Sequence, residues 1–342
     1  MIPCILNIAQ RFYALVGTMI DKFQVIIDVR SQREYAHSHI PNAINYPVLD
    51  DEEYEKIGTL YKKDSFSAKV RGASLVCKNI SKHLMQLENI ITPAKPFLIY
   101  CARGGMRSKS FFVVLKDIGY QVTRLEGGYK TYRKEVTNYL DKTPKHKFIT
   151  LVGKTGSGKS EIIQNYKDSI DLENLAQHLG SSFGGICGFQ PSIKQFQNML
   201  YDKMIKLEQA PFVLIEGESK KLGEIIIPSK LYQSYQNSPK ILITSPLEHR
   251  IQRIVKQYGV ISREFFQTSM QKISPFMEKR FWLEAQEAYN KEDLEKVAEI
   301  LLVKYYDKVY KKDNYQAKIE VQNIEDSMPK IQKIAKSLIN IE

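Results

Sequence analysis

The chain has 342 residues, 43% of them hydrophobic and 26% charged, a length that suits two domains and a composition that excludes a disordered or fibrous protein. No window reaches the roughly 18 uninterrupted apolar residues of a membrane span. The net charge of +12 points to a polyanionic partner, although a Lys-, Ile- and Asn-rich composition supplies part of it and no RNA-recognition motif, zinc finger or basic tail sharpens the signal.

The opening stretch, MIPCILNIAQRFYALVGTMIDK, is mildly apolar, but Gln10, Arg11 and the missing small-residue cleavage site argue against a signal peptide. Met19 suffices to begin the first domain, so residues 1–18 read as an N-terminal extension. FQVIIDVRS (23–31) is an apolar run of the buried-strand type, and REYAHSHIPNAINYP (33–47) follows as a short helix with a turn at Ile40-Pro41-Asn42. PFLIYC (96–101) predicts a second buried strand that stops at a cysteine. SKSFFVVLKDIGY (108–120) has helical spacing with Gly119 as its terminator, and QVTRLEGGYKTYRKEV (121–136) gives strand, glycine turn and helix. Strands alternating with helices predict an α/β domain with a parallel sheet over residues 19–140.

NYLDKTPKHK (138–147) is polar and contains proline, which places a linker at 141–147. KFITLVGKTGSGKSEIIQNY (147–166) restarts the strand–loop–helix pattern, and PFVLIEGES (211–219) and KILITSP (240–246) add two buried strands. The second domain therefore spans 148–342 as another α/β unit, and from about Ser262 its apolar residues fall at helical spacing.

Cys4, Cys77, Cys101 and Cys187 form no CxxC pair, so neither a zinc site nor a disulfide framework is expected, and a reducing cytoplasm fits. Cys4, Cys77 and Cys187 read as buried structural thiols. Cys101 differs, because Cys101-Ala102-Arg103-Gly104-Gly105-Met106-Arg107 follows a strand and precedes a helix. Gly104 and Gly105 let successive N–H groups turn inward as an anion nest, and the helix start adds positive potential. That field favours a thiolate, while Arg103 and Arg107 are placed to bind an anionic substrate or persulfide. The loop suits a cysteine that accepts sulfur or selenium from an anionic donor.

The second loop, Gly153 through Gly158-Lys159-Ser160, has the Walker A pattern between an apolar strand and a helix. The backbone at Gly156, Ser157 and Gly158 is expected to cradle a diphosphate, with Lys159 on the outer phosphate and Ser160 as a ligand of Mg²⁺. A nucleotide hydrolase places an acidic residue at the end of a later strand; here Glu216 and Glu218 stand there, as metal-water ligand, base or strand cap. No base-recognition signature accompanies the loop. The glycine-rich stretch HLGSSFGGICGFQPS (178–192), with Phe183 and Phe189, is long enough to serve as a flap or as a plain surface loop. Arg250, Arg253 and Lys256 fall at helical spacing, as a basic ridge for RNA or as a solvated face.

IIDVRSQREYAHSHIPNAINYP, the Cys101–Arg107 loop and LEGGYKTYR together resemble a rhodanese domain, in which Asp28 and Arg30 brace the sheet and Cys101 carries the chalcogen. A rhodanese domain ahead of a Walker A domain resembles the tRNA 2-selenouridine synthase family. IGTLYKKDSFSAKVRGASLV (57–76), DLENLAQHLGSSFGG (171–185), FQPSIKQFQNML (189–200), IEGESKKLG (215–223) and YYDKVY (305–310) extend the likeness through most of the chain. Leu179 stands where that family usually has arginine, and Lys308 where proline is common, which puts one phosphate contact in doubt.

The resemblance implies a transferase acting on tRNA with 2-thiouridine at the wobble position. The sulfur is first geranylated from geranyl diphosphate, and the geranylthio group is then replaced by selenium from selenophosphate. It further implies contact with a selenophosphate-producing enzyme and a cytoplasmic, membrane-free setting. Two other readings stay open on the residues themselves. One is an ATP-dependent kinase or NTPase with a sulfur-donating or regulatory rhodanese domain; the other is a non-catalytic anion and nucleotide sensor.

Overall fold

The computed structural model describes residues 22–310 and 314–340. The expectations for residues 1–18 and for Cys4 lie outside the described residues. The chain divides into two compact units: residues up to Leu140 together with Ser192–Ile205, and Asp141–Pro191 together with Lys206 onward.

The first unit is built on four parallel strands, β1 (Ile26–Asp28), β2 (Ala43–Asn45), β3 (Phe97–Tyr100) and β4 (Val122–Arg124), in the order β2-β1-β3-β4. Strands β1 and β3 lie centrally, in register Ile27↔Ile99, and every residue of both is buried. Burial on both faces explains why they read as unbroken apolar runs rather than alternating ones. Asp28 and Arg30 brace this sheet as expected: the Arg30 guanidinium lies 2.5 Å from Asp28, donates to the Ser38 carbonyl at 2.7 Å and stacks 4.0 Å over Tyr129. The 57–76 segment folds within two helices, Asp51–Lys63 and Ser65–Leu87. Asp64 sits between them and caps the longer one by accepting from the Phe66 and Ser67 amides.

One element of this unit comes from far along the chain. The helix Ile193–Lys206 buries Asn198 completely. The Asn198 amide donates to the His39 carbonyl and to the Tyr129 hydroxyl, both at 2.7 Å, and its oxygen accepts from Arg133. Tyr201 donates to buried Glu135. A buried polar group is stable only with its partners in place.

The second unit carries a five-stranded parallel sheet of β5 (Phe148–Val152), β6 (Ser169–Ile170), β7 (Val213–Glu216), β10 (Lys240–Thr244) and β11 (Ala317–Glu320), ordered β11-β10-β5-β7-β6. A small antiparallel pair, β8 (Lys221–Leu222) and β9 (Ile225–Ile226), stands apart. Residues from 262 are helical, as expected: Arg263–Ile273, Lys279–Asn290, Leu294–Leu301 and a π-helical turn over Leu302–Tyr306. The helical pattern does not extend to the end, because β11 returns to the sheet edge beside β10 before a final helix, Ile324–Leu338. Lys and Glu alternate with Ala and Ile in β11, the half-buried pattern of an edge strand.

Asn198→Ala removes the donor to the buried His39 carbonyl and Tyr129 hydroxyl and one of the acceptors of Arg133, which keeps Gln197 and the Lys194 carbonyl. It is expected to lower that unit's stability by about 2–3 kcal/mol, read from urea unfolding with β-strand circular dichroism as the probe. A change under about 0.5 kcal/mol would mean that helix 193–206 is only loosely attached.

Candidate functional site

Cys101 leaves the carboxyl end of β3 and is 2% exposed. Its sulfur lies 3.1 Å from the Ser108 hydroxyl, and Ser108 itself is fully buried in the first turn of the helix Met106–Asp117. Ser108 is a neighbour that the sequence pattern did not single out; its only signal is a serine two positions inside a helix start. The loop is clamped from one side by the glycine turn of LEGGYK. Tyr129 and Lys130 amides donate to the Cys101 and Ala102 carbonyls at 2.8 and 2.9 Å, and Arg124 donates to the Gly104 carbonyl. Three carbonyls of the loop are thus already occupied on that side.

The two loop glycines differ. Gly104 adopts φ +64, and a Cβ on it would stand 2.9 Å from the Gly127 nitrogen. Gly105 is the extended N-cap residue at φ −86 with open space around it. Only Gly104 requires glycine, which corrects the expectation that both do. The arginines differ as well. Arg103 is exposed, whereas Arg107 pairs with Glu34 at 2.6 Å and stacks 4.7 Å over Tyr54, so its charge is already matched within the unit.

The second loop leaves the carboxyl end of β5, the central strand, as parallel sheets require of their ligand sites. Gly156 and Gly158 take φ +77 and +99, and Gly153 lies against the Ile243 carbonyl, where a Cβ would be 2.2 Å away. Ser157 is buried under the loop. Lys159 donates to the Gly153 carbonyl at 2.8 Å, folded back over the space the loop encloses. Around it opens a cleft of ≈ 540 Å³ whose walls include Lys159, Ser160, Glu173 and Glu218. Leu179 is on that wall too, so the arginine usual in the family is absent from the cleft itself.

Arg250 and Arg253 do not form an exposed ridge. Arg250 is 4% exposed, donates Nε to the Thr155 carbonyl at 2.9 Å and pairs with Asp307 at 2.7 Å. Arg253 donates to the Ser245 hydroxyl at 2.8 Å and pairs with Glu161 at 3.1 Å. Both brace the phosphate loop from behind, and Lys256 alone of the three is exposed. Asp307, reached from YYDKVY, takes Lys154 at 2.8 Å as well as Arg250. Burial opposes its charge, yet the Arg250 and Lys154 hydrogen bonds hold its carboxyl below the usual range. The expected buried thiols also differ: Cys77 and Cys187 are both exposed. In the glycine-rich stretch, Phe183 is buried and Phe189 fully exposed.

Two carboxylates, Glu173 and Glu218, line the cleft, and a third, Glu216, lies behind them. Ser160 donates to Glu173 at 3.0 Å, while Glu216 at the end of β7 is fully buried and neither of its oxygens accepts a hydrogen bond among the described residues. Glu173 was not foreseen; Asp171 caps the helix Leu172–Ala176 and so turns Leu172, Glu173 and Ala176 inward together. Burial, then the neighbouring Glu218, pushes the Glu173 carboxyl up to about 8, and burial with Glu173 and Glu218 raises Glu216 well above the usual carboxylate range. Such a group is short of positive charge, which fits a Mg²⁺ held by Ser160 together with substrate phosphates. Among the described residues no three His, Cys, Asp or Glu are placed to hold a metal ion by themselves.

The raised carboxyl sets a sign for stability. Between about pH 4.5 and 8 the folded chain holds a proton on Glu173 that the unfolded chain has released, so stability falls as pH rises through that window. Glu173→Gln is expected to flatten this fall in thermal denaturation without added Mg²⁺; an unaltered pH profile would remove Glu173 as its source.

Residues 146–279 match the tRNA 2-selenouridine synthase AAA domain, and residues 14–135 match the rhodanese-like domain. The tRNA 2-selenouridine synthase of Psychromonas ingrahamii is 32% identical over 247 residues, 72% of this chain and 68% of its own. That of Nitrosomonas europaea is 34% identical over 68% of this chain and 63% of its own. That of Shewanella frigidimarina is 35% identical over 71% and 68%. The matches thus span about two thirds of these relatives' length. With two domains in this order and identity at this level, the chain belongs to the tRNA 2-selenouridine synthase family.

Proposed function

We propose that this protein is a transferase that converts 2-thiouridine at the tRNA wobble position to 2-selenouridine through an S-geranyl intermediate. In the first step the thiouridine sulfur attacks C1 of geranyl diphosphate; the S–C bond forms, the C1–O bond breaks, and pyrophosphate departs with the electron pair. In the second, selenium from selenophosphate attacks C2 of the base and geranylthiolate leaves. Hydrolysis of the Se–P bond then releases phosphate. Alkylation makes sulfur a better leaving group, so one hard displacement becomes two easier ones.

The observation that carries this reading is the pairing, within one member of this family, of a clamped thiol loop with a diphosphate cradle. Lys159, now on the Gly153 carbonyl, is free to exchange that acceptor for a phosphate oxygen of the departing pyrophosphate. Mg²⁺ on Ser160, beside Glu173 and Glu218, would supply further neutralisation of that charge. The Cys101 loop, with its glycines, the helix start behind it and exposed Arg103, suits a small anion such as selenophosphate, and its largely buried thiol would take up the soft atom once the loop admits it. The surplus of positive charge suits phosphate contacts along tRNA.

The test is nucleoside mass spectrometry of 2-thiouridine tRNA incubated with the protein, geranyl diphosphate and selenophosphate; absence of both geranylated and selenated nucleosides would end the proposal. Lys159→Ala is expected to slow geranylation by about 10²–10³-fold or more. Cys101→Ala should abolish selenation and leave geranylation intact, and full selenation by that variant would make the cysteine structural. Gly104→Ala is expected to cut selenation at least about tenfold, since it forces a Cβ into left-handed backbone, while Gly105→Ala stays near wild type. The reverse order would show that the nest is not shaped by Gly104.

A further inference from the structure

Beside the phosphate-loop cleft the helical region forms a second, half-open cavity of ≈ 60 Å³, walled by Phe183, Phe266, Tyr289, Val297, Ala298 and Leu301 among others. Thr155, Ile254, Tyr258 and Tyr306 line both spaces. Tyr258 lines both, and its hydroxyl lies 3.0 Å from the Ser181 hydroxyl, which belongs to the cleft. A polar diphosphate cradle therefore opens onto an apolar chamber within one unit.

We infer that this chamber receives the far end of the hydrocarbon chain of the diphosphate ester whose phosphates sit in the Gly153–Ser160 loop. The inference rests on the proposed geranyl transfer and assigns the site of the chain. An apolar wall of this kind gains free energy by covering itself with hydrocarbon in place of water. Its volume equals about four to six water positions, room for one isoprene unit but not two. The first isoprene unit of a geranyl chain then occupies the neck at Thr155, Ile254, Tyr258 and Tyr306, which leaves C1 in the wide cleft where a sulfur nucleophile can reach it. A chain of three isoprene units has no place for its last five carbons.

Each methylene buried is worth about fourfold in affinity, so chain length is the readout. Titration calorimetry of the full chain with Mg²⁺ and inorganic pyrophosphate, dimethylallyl, geranyl or farnesyl diphosphate is expected to give affinities that rise to geranyl and do not rise further at farnesyl. Geranyl diphosphate should bind at least about tenfold more tightly than pyrophosphate. Ala298→Phe fills the chamber and should bring geranyl diphosphate down to the level of the dimethylallyl ester, with pyrophosphate affinity unchanged. Equal affinity for pyrophosphate and geranyl diphosphate, or an unchanged chain-length order in Ala298→Phe, overturns the assignment. If Ala298→Phe also loses pyrophosphate, the smaller Ala298→Leu decides: a reduced geranyl-to-pyrophosphate ratio supports the chamber and an unchanged one overturns it. Failure of the proposed reaction looks different, because the chain-length order would hold while no geranylated nucleoside appeared in tRNA.

Discussion

Asp307 accepts two cations at once, Lys154 from the phosphate loop and Arg250 from the helix Leu247–Tyr258, and the architecture of the second unit follows from that knot. Arg250 reaches the Thr155 carbonyl in the same gesture, so the loop, the supporting helix and the helical region are tied at one point. Arg250 and Asp307 are largely withdrawn from water and are stable there only as a matched pair, while Lys154 joins them from the exposed side. The π-helical turn Leu302–Tyr306 immediately precedes Asp307 and adds the extra residue that brings both Tyr305 and Tyr306 to the cleft. The wall of the cleft and the anchor of the loop are therefore one short segment.

The same economy governs the thiol loop. Its shape depends less on its own residues than on a turn some 20 positions later, where Gly127 and Gly128 take positive φ and come within contact of the loop backbone. A Cβ on Gly128 would stand 2.2 Å from the Cys101 carbonyl oxygen, so close approach, rather than flexibility, is what glycine provides there. Arg107, which reads as a substrate contact, instead joins the loop's helix to Glu34 of the capped helix Gln32–His37. It contributes rigidity to the site, and the exposed charge is left to Arg103.

Much of the protein was legible in its residues. Strands buried on both faces announce themselves as apolar runs, and the order strand–loop–helix places Cys101 and Lys159 at the carboxyl ends of central strands before any coordinates exist. Local rules of this kind depend on neighbours along the chain, and for the Walker A loop they were sufficient. Arg250 and Arg253 show where they stop: helical spacing tells that two residues share a face, but not whether the face meets water or a loop about 95 positions away.

What the sequence by itself determined was the class of each domain, the two glycine-rich loops that follow strands β3 and β5, and the family of the chain, because each is written in contiguous residues. Tertiary structure alone decided that helix 193–206 completes the first unit through Asn198, that β11 returns to the second sheet, and that Glu173, from a helix far from β7, joins Glu216 and Glu218. It also decided that an apolar chamber adjoins the phosphate cleft. These features share a physical reason: each is a pairing or a space made by segments remote in sequence, and its energy comes from burial and partner satisfaction that no local pattern of residues records.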